Sequence, residues 1–300
     1  MILGKDEHAK VMLVIGREKR FKIYSEEGWK IIYLRKPLKA LSFDRKSKIR
    51  PVPAGVSIGH INITAGTLGG IVLYQNEIHG ITNSHIVTDK PESPYPPEEP
   101  QILQPAPYDG GRIIDNTIGF YVKHYPISVS EKSLCKIAKV KDVIYNRFAE
   151  LFNRGTRSFS FTMLQGSENP IDAGIFEPAQ RNIINEQIVD DNGNALEVKN
   201  ICGLLFAGST VDNIMIASRS DYIEKLLGVQ FLYDIKIPDV GETVFKSGRT
   251  TGITHGEVLA TDMTTTVEYN TGIATMTHCI VVRLRCAGGD SGSPVFIPKR

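Results

Sequence analysis

The sequence predicts a mainly β fold, built of short antiparallel strands closed into barrels and carrying helical and loop insertions. Three observations predict it. Short apolar runs recur along most of the chain and are broken by Gly, Asn and Gln. One long stretch, GVSIGHINITAGTLGGIVLYQNEIHGITNSHIV, is rich in glycine and β-branched residues at the spacing of a tightly turned barrel. Helical periodicity, by contrast, is confined to two segments. With 300 residues the chain can hold one large domain or two smaller ones, each with its own core.

Taken in order, residues 1–50 read as a short β-rich N-terminal subdomain, with strands in VMLVIG, FKIYS and KIIYLRK. Residues 51–175 form a first barrel. Its Pro-dense stretch from Thr88 to Gly111 is expected to be surface connection, because Pro removes backbone donors. An inserted helix over 133–154 follows, with Ser133 as cap and Ile137, Val140, Val143, Ile144, Phe148, Leu151 and Phe152 on one face. Residues 176–300 form a second barrel, with strands in CGLLFAGS, NIMIAS, DVGETVFKSG and THGEVLATD. A short helix capped by Ser220 or Asp221 and stopped by Gly228 interrupts it. The run TVEYNTGIATMTHCIVVRL reads as two strands joined at Asn270-Thr271-Gly272.

A net charge of +2 provides no field to recruit nucleic acid or an anionic membrane. Four cysteines without C-x-x-C spacing argue against zinc and redox chemistry, although one bridge among Cys202, Cys279 and Cys286 stays open. No cofactor and no metal are expected. The N-terminal run VMLVIG is too short for a secretory signal and follows the acidic pair Asp6 and Glu7, so a soluble cytoplasmic protein is the default expectation.

The last fifteen residues, CAGGDSGSPVFIPKR, carry the most specific signal. A serine hydroxyl is a poor nucleophile near neutral pH. It needs an imidazole to take its proton, a carboxylate to hold that imidazole's tautomer, and backbone N–H groups aimed at the developing oxyanion. Ser291 is the candidate nucleophile, and the amides of Gly289 and Ser291 are the candidate oxyanion donors. Gly292 is expected to leave room for substrate backbone. The plain alternative is a Gly/Ser turn of an ordinary β-protein. For the base, His85 in ITNSHIV is the first candidate and His60 in SIGHIN the runner-up. For the acid, Asp172 in NPIDAGIF stands directly before an apolar strand, and Asp115 in RIIDNTIG is its rival. KSGRTTG lacks the Walker spacing and reads as a turn braced by Arg249.

Six segments spread from about Arg50 to Val295 together resemble the narrow-leaf type of trypsin-like serine peptidases of plants and prokaryotes. They are GVSIGHINITAGTLGGIV, TNSHIV, ILQPAPYDGG, IDAGI, KSGRTTGITHGEV and AGGDSGS. The resemblance implies a chymotrypsin-like double β-barrel and a catalytic triad that here is His85, Asp172 and Ser291. One departure is plain. Only 9 residues follow Ser291, where the family has a substrate-binding strand, a last strand and a closing helix. GLLFAGSTVDNIMIASRSDYIEKLLGV, Gly203 to Val229, resembles those parts but precedes the serine. The second barrel is therefore expected to be permuted in sequence and complete in space, the break falling at a surface turn. Phe206, Ala207 and Gly208 then belong to the substrate cleft. Arg285, six before the serine, would sit at the base of the specificity pocket and favour an acidic side chain, unless it only ends the strand VVRLR. Asp290, which pairs with a freed N-terminus in zymogen-activated relatives, is expected here to bond local backbone amides.

The expected function is that of a serine endopeptidase acting on protein or peptide substrates through an acyl-enzyme, with neither nucleic acid nor membrane as partner and homo-oligomerisation left open. A protease-fold scaffold with an inert or partner-activated site is the alternative, and an esterase with the same triad is a third reading.

Overall fold

The computed structural model describes residues 10–15, 29–34, 43–129, 131–132, 164–165 and 168–299. The helix expected over 133–154 and the strand expected in FKIYS lie outside them. Chain contacts divide the protein into residues 1–43 and 44–300. In the first unit, β1 (Lys10–Ile15) and β2 (Trp29–Leu34) pair in parallel.

The second unit is a chymotrypsin-like double β-barrel. Its first barrel uses β3 (Val52–Ala54), β4 (Ser57–His60), β5 (Gly66–Thr67), β6 (Gly70–Tyr74), β7 (Glu77–Thr82), β8 (Gln101–Leu103) and β9 (Thr117–His124). The short helices α1 (Ser84–Val87) and α2 (Ile113–Asn116) lie between them. After the antiparallel pair β10 (Glu131–Lys132) and β11 (Leu164–Gln165) come β12 (Glu168–Asn169) and β13 (Gly174–Pro178). The antiparallel order is β6-β7-β13-β9-β8-β4. The ring closes through residues 66–69: Leu68 exchanges hydrogen bonds with Val56 and Gly55, and the Gly69 N–H reaches Ile81. Ile58, Leu68, Ile81, Ile102, Ile118 and Phe176 are fully buried. One expectation is corrected here, since Gln101–Leu103 lies inside the Pro-dense stretch yet is a barrel strand between β4 and β9. The four residues QILQ between Pro100 and Pro105 keep their own N–H groups, so the flanking prolines do not prevent pairing.

β14 (Ile184–Ile188) pairs with β3. The second barrel follows with β15 (Val198–Ser209), β16 (Ile214–Arg219) and helix α3 (Ser220–Leu227). After β17 (Gln230–Phe231), which pairs with β6, come β18 (Thr243–Gly248), β19 (Gly252–Tyr269), β20 (Gly272–Arg283) and β21 (Pro294–Pro298). The ring β18-β19-β20-β16-β15-β21 closes on β18 with every neighbour antiparallel. Leu205, Met215, Val244, Val258, Ile280 and Val295 fill it. Sequence order is permuted. β21, directly after Ser291, lies beside β15 with Pro294 opposite Leu204, and the Lys299 N–H bonds Glu197 just ahead of β15.

Two details differ from expectation. Arg219, not Ser220 or Asp221, is the N-cap of α3, and the Ser220 hydroxyl donates instead to the Ile201 carbonyl at 3.1 Å. The β19–β20 turn is the two-residue loop Asn270-Thr271, because Gly272 already pairs with Tyr269. A core of Val72, Ile81, Ile171, Leu204, Ile223 and Phe296 is shared by the two barrels and α3, and burying it holds them together.

Candidate active site

Of the predicted site residues, His85, Phe206, Ala207, Gly208, Gly289 and Ser291 line one cleft of about 770 Å³. β7 ends at Thr82, Asn83 caps α1, and α1 then turns His85 toward the cleft with its side chain 23% exposed. Asp172, fully buried, sits just ahead of β13. The His85 Nδ1–H donates to Asp172 Oδ2 at 2.5 Å, so a neutral ring keeps Nε2 as its acceptor. Asp172 Oδ1 takes the Ser84 N–H at 2.7 Å, and Asn83 Nδ2 donates to the Asp172 carbonyl at 2.7 Å. A second donor to Oδ2 is the Tyr269 hydroxyl, at 2.9 Å. Burial alone would raise the Asp172 carboxyl. The charge and N–H of His85, with the Tyr269 and Ser84 donors, outweigh it and hold the group below the ordinary carboxylate value. The same burial and the adjacent carboxylate push the Tyr269 phenol well above its usual range.

Ser291 stands on the loop between β20 and β21, partly buried. Its hydroxyl donates to the Phe206 carbonyl at 3.5 Å and not to His85; nucleophile–base bonds often tighten only when substrate is bound. The loop peptides are fixed from behind. The Gly288 carbonyl accepts from Thr250 Oγ1 at 2.7 Å, and the Asp290 carbonyl accepts the Ser293 N–H at 2.9 Å. In a trans peptide the N–H points opposite its carbonyl. The Gly289 and Ser291 amides therefore face away from those anchors, and among the described residues neither has an acceptor. Gly289 adopts φ +90°, and a Cβ there would strike Arg249. Gly292 corrects an expectation: its bare face lies against the Thr67 carbonyl and Thr82 hydroxyl of the first barrel, and it does not line the cleft.

Asp290 is fully buried and anchors this loop. It accepts the N–H groups of Ala287, Thr250 and Thr251, the Thr251 hydroxyl at 2.6 Å, and an ion pair with the buried Lys246 at 3.4 Å. Burial pulls the Lys246 ammonium below its usual value, and Asp290 opposes that pull. Arg249 braces more than its own turn, because it pairs with Asp109 of the first barrel and so ties the two barrels together.

Other candidates fall elsewhere. His60 is buried with both ring nitrogens engaged, to the Glu99 carbonyl and the Asn62 N–H. Asp115 is exposed on α2 beside Arg112. Arg285 is corrected: it is exposed and does not line the cleft, lying just past β20 between the buried Leu284 and Cys286. Cys202, Cys279 and Cys286 are all free thiols. Among the described residues no cluster of His, Cys, Asp or Glu could hold a metal ion, and no helix is long and apolar enough to cross a membrane.

Sequence reading missed Tyr269 and Lys246. For Lys246 a signal existed, since it shares the inward parity of Val244 on β18, and an inward lysine needs a buried acid. Tyr269 carried none, being one of several aromatics beside a turn.

Neither a protein-family model nor a curated protein matches the chain. Solved structures similar to it include Thermobifida fusca protease A, at TM-score 0.41 and 14% identity over 82% of this chain and 78% of that one. A glutamic-acid-specific serine protease aligns at TM-score 0.42 and 16% identity, over 82% and 80%. A Nocardiopsis protease aligns at TM-score 0.38 and 13% identity, over 82% and 78%. TM-scores this low carry no weight, and the fold rests on the strand pairing itself.

Proposed function

We propose that the chain is a serine endopeptidase of the narrow-leaf, trypsin-like type. His85 takes the proton of Ser291, Asp172 orients His85, and the Gly289 and Ser291 amides receive the oxyanion. Hydroxyl attack forms an acyl-enzyme and expels the amine, which takes the proton from His85. Water deprotonated by His85 then releases the acid. The single observation that supports this most is the pairing, on one cleft, of a tautomer-fixed histidine with a serine whose loop leaves two amides without acceptors among the described residues. The specificity wall is proposed to be Phe206, Ala207, Gly208, Ile214 and Ile216, which suits an uncharged apolar side chain and not the acidic one that Arg285 suggested.

The test is intact-mass measurement after fluorophosphonate treatment of wild type, Ser291→Ala and His85→Ala. One adduct on wild type, mapped to Ser291 and lost in both variants, is the expected result. Well-folded protein without an adduct would sink the hydrolase reading in favour of the scaffold. Ester substrates turned over while peptides are not would replace peptidase by esterase.

A further inference from the structure

The β19–β20 hairpin comprises strands of 18 and 12 residues, and its tip, Thr266 to Thr271, forms one wall of the cleft. It is not a loose arm. Val267 and Tyr269 pack on a buried cluster of Ile127, Phe206, Ala274, Met276 and Cys279. β12 runs parallel to β20, pairing Glu168 with Thr275, and Asn169 donates to the Thr275 carbonyl at 3.1 Å. Three residues on lies Asp172, whose backbone N–H donates to Ser218 Oγ on β16 at 2.9 Å. The segment leading to the acid is thus stitched to the second barrel, although the acid serves a histidine of the first and the chain enters β13 of that first barrel two residues later.

Tyr269 completes this arrangement. Its hydroxyl donates to the same Asp172 oxygen that receives His85, and its ring meets the imidazole edge-on, with centroids 5.8 Å apart. We propose that Tyr269 is a positioning residue for the His85–Asp172 pair: a second-barrel donor that fixes the carboxylate rotamer, shares the charge on Oδ2 and walls the imidazole. This rests on the hydrolase reading only for its kinetic consequence, because the positioning itself is a property of the pair. A phenol serves here because it is a neutral donor reaching a buried carboxylate from a hairpin tip, and the Asp172 charge keeps it protonated. A lysine or arginine in its place would compete with the imidazolium that must form beside Asp172. The other titratable groups nearby include the buried Cys279 in the cluster beneath Tyr269, His124 of β9, bonded to Tyr121 and the Pro91 carbonyl, and the cleft-lining Asp89 and Glu268. None of them is hydrogen-bonded to Asp172.

Tyr269→Phe keeps the ring and removes the donor, so folding is preserved and is checked by circular dichroism and the thermal midpoint. The first measurement is the low-field proton resonance of His85 Nδ1–H, which does not depend on catalysis. With one donor fewer on Oδ2, that resonance moves further downfield in the variant. The second is the fluorophosphonate labelling rate against pH. In the variant it falls roughly tenfold at its plateau, the kinetic equivalent of one hydrogen bond to a charged group, and its acid limb moves to higher pH. An unmoved resonance with an unmoved labelling profile overturns the proposal. So does a wild type with no low-field resonance, since no His85–Asp172 bond would then exist for Tyr269 to position. A shifted resonance without labelling of either protein supports the role of Tyr269 and defeats the hydrolase reading alone.

Discussion

Asp172 and Asp290 are both fully buried, they sit on the two barrels that face one cleft, and they are neutralised by different means. Asp172 is held by a partly exposed imidazole, a phenol and one amide. Asp290 is held by a buried ammonium, three amides and a hydroxyl. The first set includes a side chain, His85, that lines the cleft. The second set is sealed, and its cation comes from within the same barrel. Burial of a carboxylate is therefore no mark of catalysis by itself. What distinguishes Asp172 from the loop anchor Asp290 is that its main partner lines the cleft, as the proposed mechanism requires. The cation that meets Asp290 in the serine loop is thus a side chain of β18.

Asp172→Asn tests the side proposed to act and carries the largest expected effect. An amide cannot hold the imidazole tautomer, so fluorophosphonate labelling of Ser291 should slow by roughly 10⁴-fold while the fold persists. Labelling at the wild-type rate would remove Asp172 from the mechanism and collapse the contrast. Lys246→Met tests the sealed side. It leaves Asp290 buried without its cation, which should cost about 3–5 kcal/mol in urea unfolding, and Lys246→Met/Asp290→Asn together should recover part of that loss. If the single variant unfolds at the wild-type midpoint, the ion pair is not holding the loop.

A smaller effect follows from pH. Asp172 has a folded pKa held below its ordinary 3.8, so its ionisation stabilises the fold fully above that value. The contribution is lost as pH falls from about 3.8 through the depressed folded value. The stability difference between wild type and Asp172→Asn should therefore shrink as pH falls through that acid window. A difference that stayed the same from about pH 5 down through that window would remove the Asp172 charge from the stability of the fold. The smallest effect belongs to Arg285→Ala, where labelling and side-chain preference should change by less than about twofold, as for any exposed position away from the cleft. A lost preference for acidic substrates would put Arg285 back in the pocket.

Local chemistry made the rest of the site legible to the degree that it was. GGDSGS, TNSHIV and IDAGI each pack their message into a few adjacent residues, because an oxyanion loop, a post-strand histidine and a pre-strand acid are all short-range devices. The β character was readable for the same reason, from alternation and turn residues. The strand Gln101–Leu103 was not, because proline density on both sides masks four residues that pair normally.

By itself the sequence determined the residue types for the proposed chemistry, their chain order, and the displacement of Gly203–Val229 ahead of Ser291. Only the tertiary structure decided that β21 lies beside β15 with no connecting hairpin, and that Gly292 backs onto Thr67 instead of opening to the cleft. It alone brought Tyr269 onto Asp172, 97 residues away, and set Lys246 under Asp290. These contacts join residues far apart in the chain, and their partners are chosen by barrel closure, a property of strand register over the whole sheet and not of any local run of side chains.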